Sequence, residues 1–305
     1  NIPVSTWVYP QTKEEGFYDF SIAKEILDFF IDNIGEYPFL KLANVQSKTR
    51  FGGMENAGNI FYFEKSVTGK QEHKDLIAHE IAHQWFGNSV YIDFMSGNWA
   101  EGLTTYLSDH YYAALEGKGA AYRKQVLVDY HDYVHGDNVM QLIDFTSRHN
   151  KAQSAVGYGK GAMLFHGLYK LYGEAAFYAA LKNFIRQNRF RQASWLDIQH
   201  AFEISTGEKL YTFFGDWLTR KNIPSLDVKN TKLYVARGKL KLDFDLLQKG
   251  KPYPLKIPIT FYTGKQKDTQ WIVVKNLKES VDVKGFAHIT GGGIIGNTSR
   301  IIPKN

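Results

Sequence analysis

The chain has 305 residues, 44% hydrophobic, 15% aromatic and 22% charged, the balance of a folded chain with enough mass for two domains rather than of a disordered tail. No run of about 18 apolar residues occurs, which excludes a transmembrane helix from this sequence. There is no cysteine, hence no disulfide and no thiol nucleophile, and a transition metal would have to be held by histidine and carboxylate.

The net charge of +6 and pI of 9.1 are modest for this length. Lys239, Lys241, Lys249, Lys251 and Lys256 are scattered among apolar residues, the pattern of a solvated sheet face rather than of a nucleic-acid surface. The start, Asn1-Ile-Pro-Val-Ser, has neither an initiator Met nor the regions of a signal peptide, so the chain is expected to be a piece of a longer protein.

Along residues 19 to 34, Ile22, Ile26, Phe30 and Ile34 recur at fours, which predicts one amphipathic helix stopped by Gly35 and Pro38. Phe39 to Arg50 and Asn59 to Glu64 read as extended, joined by the Gly-rich turn Phe51-Gly-Gly-Met-Glu-Asn-Ala-Gly58. From Glu72 helical periodicity returns and continues, with breaks, to about Asn222; Ser194-Trp-Leu-Asp197 is a capping-box start, and Gly173 and Gly207 mark helix ends. Beyond Ile223-Pro224 the period becomes two. Leu240, Leu242 and Phe244, then Leu255, Ile257, Ile259 and Phe261, alternate with polar residues, with turns at Gly238, Lys249-Gly250 and Gly264. A small antiparallel all-β domain is expected there, with the boundary near residue 223.

The stretch Asp75-Leu-Ile-Ala-His-Glu-Ile-Ala-His-Gln-Trp-Phe-Gly87 carries the chemistry. His79 and His83, four apart, fall on one helix face as two ligands of one metal would, and Glu80, turned by about 100°, is placed to reach a water rather than the ion. Two packed histidines and a surface glutamate are the alternative. At this chain's histidine frequency, however, the His-Glu-x-x-His pattern arises by chance in about one or two such chains per hundred, and burial beside Ile77, Ile81 and Trp85 would leave three polar groups without partners. Zinc needs a third protein ligand. Glu101, near the start of the next helical pattern, is one candidate; Asp93 and Asp109 are its rivals.

These residues together resemble a known family. His79-Glu-Ile-Ala-His-Gln-Trp-Phe-Gly-Asn88 followed by Ala100-Glu-Gly102 is similar to the zinc site of the gluzincin zinc aminopeptidases, of alanyl aminopeptidase and leukotriene hydrolase type. Gly52-Gly-Met-Glu-Asn56 resembles their exopeptidase motif, and Tyr158-Gly-Lys-Gly-Ala162 resembles the segment holding their catalytic tyrosine. The resemblance implies one zinc on His79, His83 and Glu101, with Glu80 as general base for a zinc-activated water and Tyr158 as donor to the developing oxyanion. It also implies a substrate subsite made of Glu55, on the free α-amino group, with Gly53, Met54 and Asn56. Peptides with a free N-terminus would be the substrates.

The sequence departs from the family in three places. Between His83 and Glu101 lie 17 residues, one fewer than usual; Ala100 replaces an Asn; Ala57 replaces a Trp. The resemblance covers the middle of a family member, which implies an N-terminal β domain, with a second amine-binding acid, and a C-terminal helical domain outside this chain. The expected fold is α+β, a thermolysin-like catalytic domain over residues 1 to 222 followed by a β-sandwich over 223 to 305. The rivals in function are a zinc hydrolase of other specificity (endopeptidase or epoxide hydrolase) and an inactive scaffold; the second is disfavoured because His79, Glu80, His83, Glu101 and Tyr158 are all available.

Overall fold

The computed structural model describes residues 2–236, 239–263, 266–274 and 278–283, and the chain divides into two compact units, Asn1–Lys221 and Asn222–Asn305. Two of the turns expected in the second unit, at Gly238 and Gly264, lie outside the described residues, as do the side chains of Leu240 and Phe261.

In the first unit β1 (Val4–Trp7) is followed by α1 (Lys13–Phe20), α2 (Ala23–Ile34), β2 (Leu42–Ser47), β3 (Gly53–Met54) and β4 (Asn59–Phe63). The strands form a sheet in the order β1-β2-β4-β3, with β1, β2 and β4 mutually parallel and β3 antiparallel to β4, so β3 is an edge strand. Strand β2 is buried on both faces; Asn44 accepts from the Tyr62 hydroxyl (3.2 Å) through Oδ1 while its Nδ2 is without a partner among the described residues. Gln46 accepts from the Tyr9 N–H (3.0 Å) and the Thr12 hydroxyl (2.7 Å) and donates to the Glu64 carbonyl (3.1 Å).

The single helix expected over residues 19 to 34 is two helices. The chain turns at Ser21-Ile22, between the end of α1 and the start of α2, and Asp19 in the last turn of α1 accepts the backbone N–H groups of Thr68 (2.6 Å), Gly69 (2.8 Å) and Gln71 (2.7 Å). Helix α2 buries Ile26, Leu27, Phe30 and Ile34 and stops at Gly35, at φ 135°. The extended segments are also shorter than the sequence suggests, because Phe39 to Lys41 and Lys48 to Arg50 lie outside β2 and Glu64 opens a 3-10 turn.

The helical part begins with α3 (Lys74–Ala82), the short strand β5 (Tyr91–Ile92), α4 (Ala100–Thr105), a π-helical turn (Tyr106–His110), α5 (Tyr111–Leu115) and α6 (Gly119–Tyr133). It continues with α7 (Lys151–Ser154), a second π-helical turn (Ala155–Lys160), α8 (Gly161–Asn188), β6 (Gln192–Ala193), α9 (Trp195–Thr206) and α10 (Tyr211–Thr219). Gly173 breaks α8 with φ 82°, and Gly207 caps α9 in the left-handed region, so both glycines do interrupt helices. Ser194 and Asp197 form the capping box at the start of α9.

A chain of buried aromatic rings fixes the helices around the centre of this unit. Phe30 of α2 meets Trp85 (5.8 Å between centroids), while Phe86 meets Trp99 (6.3 Å), which packs edge-on against Phe184 of α8 (5.1 Å). Both indoles are also hydrogen-bonded, Trp85 to the carbonyls of Gly35 (3.1 Å) and Glu36 (3.0 Å) and Trp99 to that of Ala193 (2.8 Å). Trp85 follows α3 and Trp99 precedes α4, so the mutual placement of those helices is set by apolar burial with directional anchors.

In the second unit β7 (Leu226–Ala236), β8 (Lys239–Gln248) and β11 (Lys278–Val283) form an antiparallel sheet ordered β11-β8-β7, and β9 (Leu255–Thr263) pairs antiparallel with β10 (Gln266–Val274). The alternation serves one core. Phe244, Leu246 and Val274 are buried, with Leu242, Leu255, Ile257, Ile259 and Ile272 packed on them. Gly250, at φ 74°, closes the expected turn after β8.

Candidate active site

Helix α3 keeps a regular α register through Ala82, and His83 remains helical as its C-terminal cap, so His79 and His83 stand one turn apart on one face. The Nδ1 of His79 donates to Asp109 Oδ2 (3.0 Å), and the Nδ1 of His83 donates to the Phe86 carbonyl (2.9 Å). With Nδ1 engaged as donor on both rings, the Nε2 atoms are the ones left to bind something. They lie 3.2 Å apart, and Glu101 Oε2 is 3.4 Å from each. Among the described residues, His79, His83 and Glu101 are three metal-binding side chains whose donor atoms gather within 4.8 Å, a cluster that could hold a metal ion.

The electrostatics of the cluster favour a bound cation. Burial works against a charged His79, yet its hydrogen bonds to Asp109 and Glu101 outweigh that and raise its pKa well above the ordinary imidazole range; His83 is raised against burial by Glu101. Glu101 is itself held far below the usual carboxylate range, because its contacts with the two imidazoles overcome burial. The buried carboxylate thus seeks positive charge, which protons on the rings or a metal among them can supply.

Glu80 is buried at 5% exposure and belongs to the same helix but not to the cluster. Burial raises its pKa to about 7, against the pull of His79 and His83 and with a further push from Glu55 and Glu101. A Cβ on Gly53 would stand 2.2 Å from Glu80 Oε1. Glycine at 53 therefore lets the edge strand β3 lie directly against this carboxylate.

The turn after β3 is tied to the end of α3. Gln84 donates to the Glu55 carbonyl (2.9 Å) and accepts from the Gly58 N–H (2.7 Å), and Asn88 also donates to the Glu55 carbonyl. With its backbone so held, Glu55 has a half-buried carboxylate with no hydrogen-bond or ion-pair partner among the described residues. Met54 pairs with Phe61 in the sheet, while Asn56 is exposed and its carbonyl accepts from Asn59 (2.9 Å).

Glu101 and Tyr158 reach the centre from helices that touch through glycine. A Cβ on Gly102 would lie 2.7 Å from Gly161 Cα and 3.0 Å from the Gly157 carbonyl, so α4 and the second π turn meet backbone to backbone. Asn98 accepts from the Ala100 N–H (3.0 Å), opening α4 just before Glu101. The ring of Tyr158 lies nearly parallel to that of His79, 12° apart with centroids at 6.2 Å. Burial holds the Tyr158 hydroxyl far above the usual phenol range and the Glu101 charge adds to it, while Arg148, with its guanidinium carbon 4.9 Å from the ring centroid, pulls the other way.

The structure thus brings His79, Glu80, His83, Glu101, Tyr158, Gly53 and Glu55 to one centre. The two rivals of Glu101 have other partners. Asp93 accepts from the Met95 N–H (3.1 Å), and Asp109 supports His79 from behind. Sequence reasoning weighed Asp109 only as a ligand and gave Gln84 and Asn88 no part. For Gln84 the available signal was its place beside His83; for Asp109 it was distorted by the π turn that carries it.

Residues 18–217 match the Peptidase family M1 domain. The chain is similar to aminopeptidase 2 of Candida albicans (24% identical, over 79% of this chain and 28% of that protein) and to the alanine/arginine aminopeptidase of Saccharomyces cerevisiae (25%, over 86% and 33%). It is also similar to the glutamyl aminopeptidase of Bos taurus (26%, over 76% and 26%). It therefore spans about a third or less of the length of these curated relatives. The domain match covers most of the first unit and takes in both histidines, the glutamates and the tyrosine described above, and on that ground the chain belongs to peptidase family M1.

Proposed function

We propose that this chain is the catalytic part of a zinc aminopeptidase, a thermolysin-like domain over residues 1 to 222 followed by a β-sandwich over 223 to 305, acting on peptides with a free N-terminus. The observation that carries this reading is the triangle of donor atoms. A tetrahedral zinc with bonds of about 2.0 to 2.2 Å has ligand-to-ligand edges of about 3.3 to 3.6 Å, and the edges between His79, His83 and Glu101 are 3.2, 3.4 and 3.4 Å. The relatives named above are aminopeptidases, and the mutual packing of the two β-sheets' side chains in the second unit supports a sandwich. No helix among the described residues is long and apolar enough to cross a membrane.

In this reading His79, His83 and Glu101 hold the ion, which when bound supplies Lewis acidity to the scissile carbonyl and to a water. Glu80 takes the proton of the attacking water on its carboxylate and passes it to the leaving nitrogen. The Tyr158 hydroxyl donates to the oxygen that gains charge; burial keeps it protonated for that purpose. Glu55 receives the substrate ammonium on a carboxylate with no other partner among the described residues. The free edge of β3 offers the backbone of Gly53 and Met54 to an extended peptide, with Asn56 at the rim. A fixed anion one residue from the metal selects chain ends, which separates an exopeptidase from an endopeptidase or an epoxide hydrolase.

Zinc content and hydrolysis of free against N-acetylated peptides test this. Cleavage of free peptides should exceed that of acetylated ones at least a hundredfold, and Glu55→Ala should remove most of that difference with zinc retained. Equal cleavage of both would assign the site to another hydrolase, and a metal-free protein under zinc-replete conditions would exclude the mechanism.

A further inference from the structure

We propose that Arg148 forms a carboxylate-binding subsite beside Tyr158, which takes a carboxylate carried by the peptide beyond the bond that is cut. This rests on the aminopeptidase reading above and adds to it a preference for one class of substrate. Arg148 is exposed, its guanidinium lies over the Tyr158 ring at 4.9 Å, and no acid pairs with it among the described residues. Its place is fixed from both sides. Before it, the carbonyls of Phe145 and Thr146 accept from the Asn98 backbone (2.6 Å) and side chain (3.0 Å), so the loop is tied to the start of the helix that carries Glu101.

After it, the His149 N–H donates to Gln153 Oε1 (2.7 Å), and Asn150 and Gln153 cap α7 reciprocally. The Phe145 ring fills the space that a side chain at Gly157 would need, next to Tyr158. The loop is therefore built onto the catalytic centre, and the guanidinium is presented on a rigid support rather than a mobile arm.

Charge decides what it would bind. The amino end of the substrate is met by Glu55 with Glu80 nearby, both carboxylates, so an anionic group is repelled from that end and attracted to the far side of Tyr158. A peptide whose ammonium is on Glu55 and whose carbonyl faces Tyr158 sends its next residue past that ring. In a dipeptide the terminal carboxyl carbon is only two bonds from the leaving nitrogen; in a longer peptide an acidic side chain on the residue after the cut offers the same group. A planar guanidinium stacked on an aromatic ring keeps its edge N–H groups free for a two-point contact with a carboxylate.

The test compares wild type, Arg148→Gln and Arg148→Lys, all loaded with zinc, on alanyl-alanine against its carboxamide and on alanyl-glutamate amide against alanyl-glutamine amide. Because Arg148 is exposed, neither substitution disturbs the core. In wild type kcat/KM for the acid should exceed that for its neutral partner about tenfold or more in at least one pair, mainly through KM. The first pair reports the chain-terminal carboxylate and the second the side chain.

Arg148→Gln should bring the ratio to about one, and Arg148→Lys should keep part of it. Wild-type ratios near one in both pairs overturn the proposal. So does a ratio that Arg148→Gln leaves in place, whatever the fall in rate, since Arg148 would then act on Tyr158 and not on substrate. Failure of wild type to cleave any of the four peptides, or equal cleavage of their N-acetylated forms, overturns the aminopeptidase reading and this subsite with it.

Discussion

Helix α3 holds a regular α register through His79, Glu80 and His83, whereas Asp109 and Tyr158, which both meet His79, lie in two π-helical turns, Tyr106–His110 and Ala155–Lys160. On the regular side, chemistry is set by sequence separation alone, because residues four apart must share a face. On the irregular side, a π turn takes up one more residue than an α turn, so the side chains beyond it are rotated out of the face they would otherwise occupy. That rotation is what lets Asp109, eight residues beyond Glu101, stand behind His79. It lets Tyr158 lay its ring beside the same imidazole while Gly102 and Gly161 keep the two helices in backbone contact. A regular helix can carry ligands and a base, but wrapping donors around them took local departures from regularity.

The comparison is broken most directly on its regular side. Glu80→Gln preserves shape and removes the proton acceptor, and turnover should fall about a thousandfold or more with zinc stoichiometry unchanged. Retained activity in a zinc-loaded sample would mean that proton transfer does not pass through α3 at all. On the irregular side, Tyr158→Phe keeps the ring beside His79 and deletes the donor. Turnover should fall about a hundredfold, in kcat and kcat/KM alike, because the hydroxyl acts on charge that exists only in the transition state. A change confined to KM would place Tyr158 in ground-state binding instead.

The same contrast explains what was legible in the sequence. His79, Glu80 and His83 could be read from spacing and cost, since polar groups packed among Ile77, Ile81 and Trp85, two of them buried and His79 half-buried, demand a partner. The alternation of Leu240, Leu242 and Phe244 was equally plain, because a period of two has one structural solution. Glu101 could not be separated from Asp93 and Asp109 by spacing, and Tyr158 could not be told from other tyrosines; resemblance alone singled them out. Asp19 was placed at the start of one long helix because its neighbours fit the period, and nothing local announced that it would end a separate helix with its carboxylate on the N–H groups of Thr68, Gly69 and Gln71. Local periodicity is visible in one segment at a time, whereas such contacts join segments dozens of residues apart.

A smaller effect should follow at Asp109. Asp109→Asn leaves a side chain that can still accept from the His79 Nδ1–H but carries no charge, so zinc affinity should weaken about ten- to hundredfold, read by competition with a chelator. Turnover at saturating zinc should change less. If affinity is untouched, the first π turn has no hold on the metal and the asymmetry described above belongs to Tyr158 alone.

The smallest expected effect is on stability rather than chemistry. Gly102→Ala puts a methyl group 2.7 Å from Gly161 Cα, 2.9 Å from the Gly161 carbonyl carbon and 3.0 Å from the Gly157 carbonyl oxygen, all of them backbone atoms that no rotamer change can move aside. The helix gains the better propensity of alanine over glycine, about 1 kcal/mol, but α4 and the second π turn must separate by several tenths of an ångström. Overpacking of this kind costs about 1 to 3 kcal/mol, so the net loss should be about 0 to 2 kcal/mol in denaturant unfolding of the zinc-free protein. The informative readout is the coupling. Since Gly102 adjoins Glu101 and Gly161 lies three residues from Tyr158, any separation moves a ligand and the oxyanion donor apart together. Gly102→Ala should then lower turnover in a metal-replete sample by more than its small stability change explains. Unchanged turnover would show that the two π-bearing helices tolerate slack, and that close glycine contact sets their packing but not the positions of Glu101 and Tyr158.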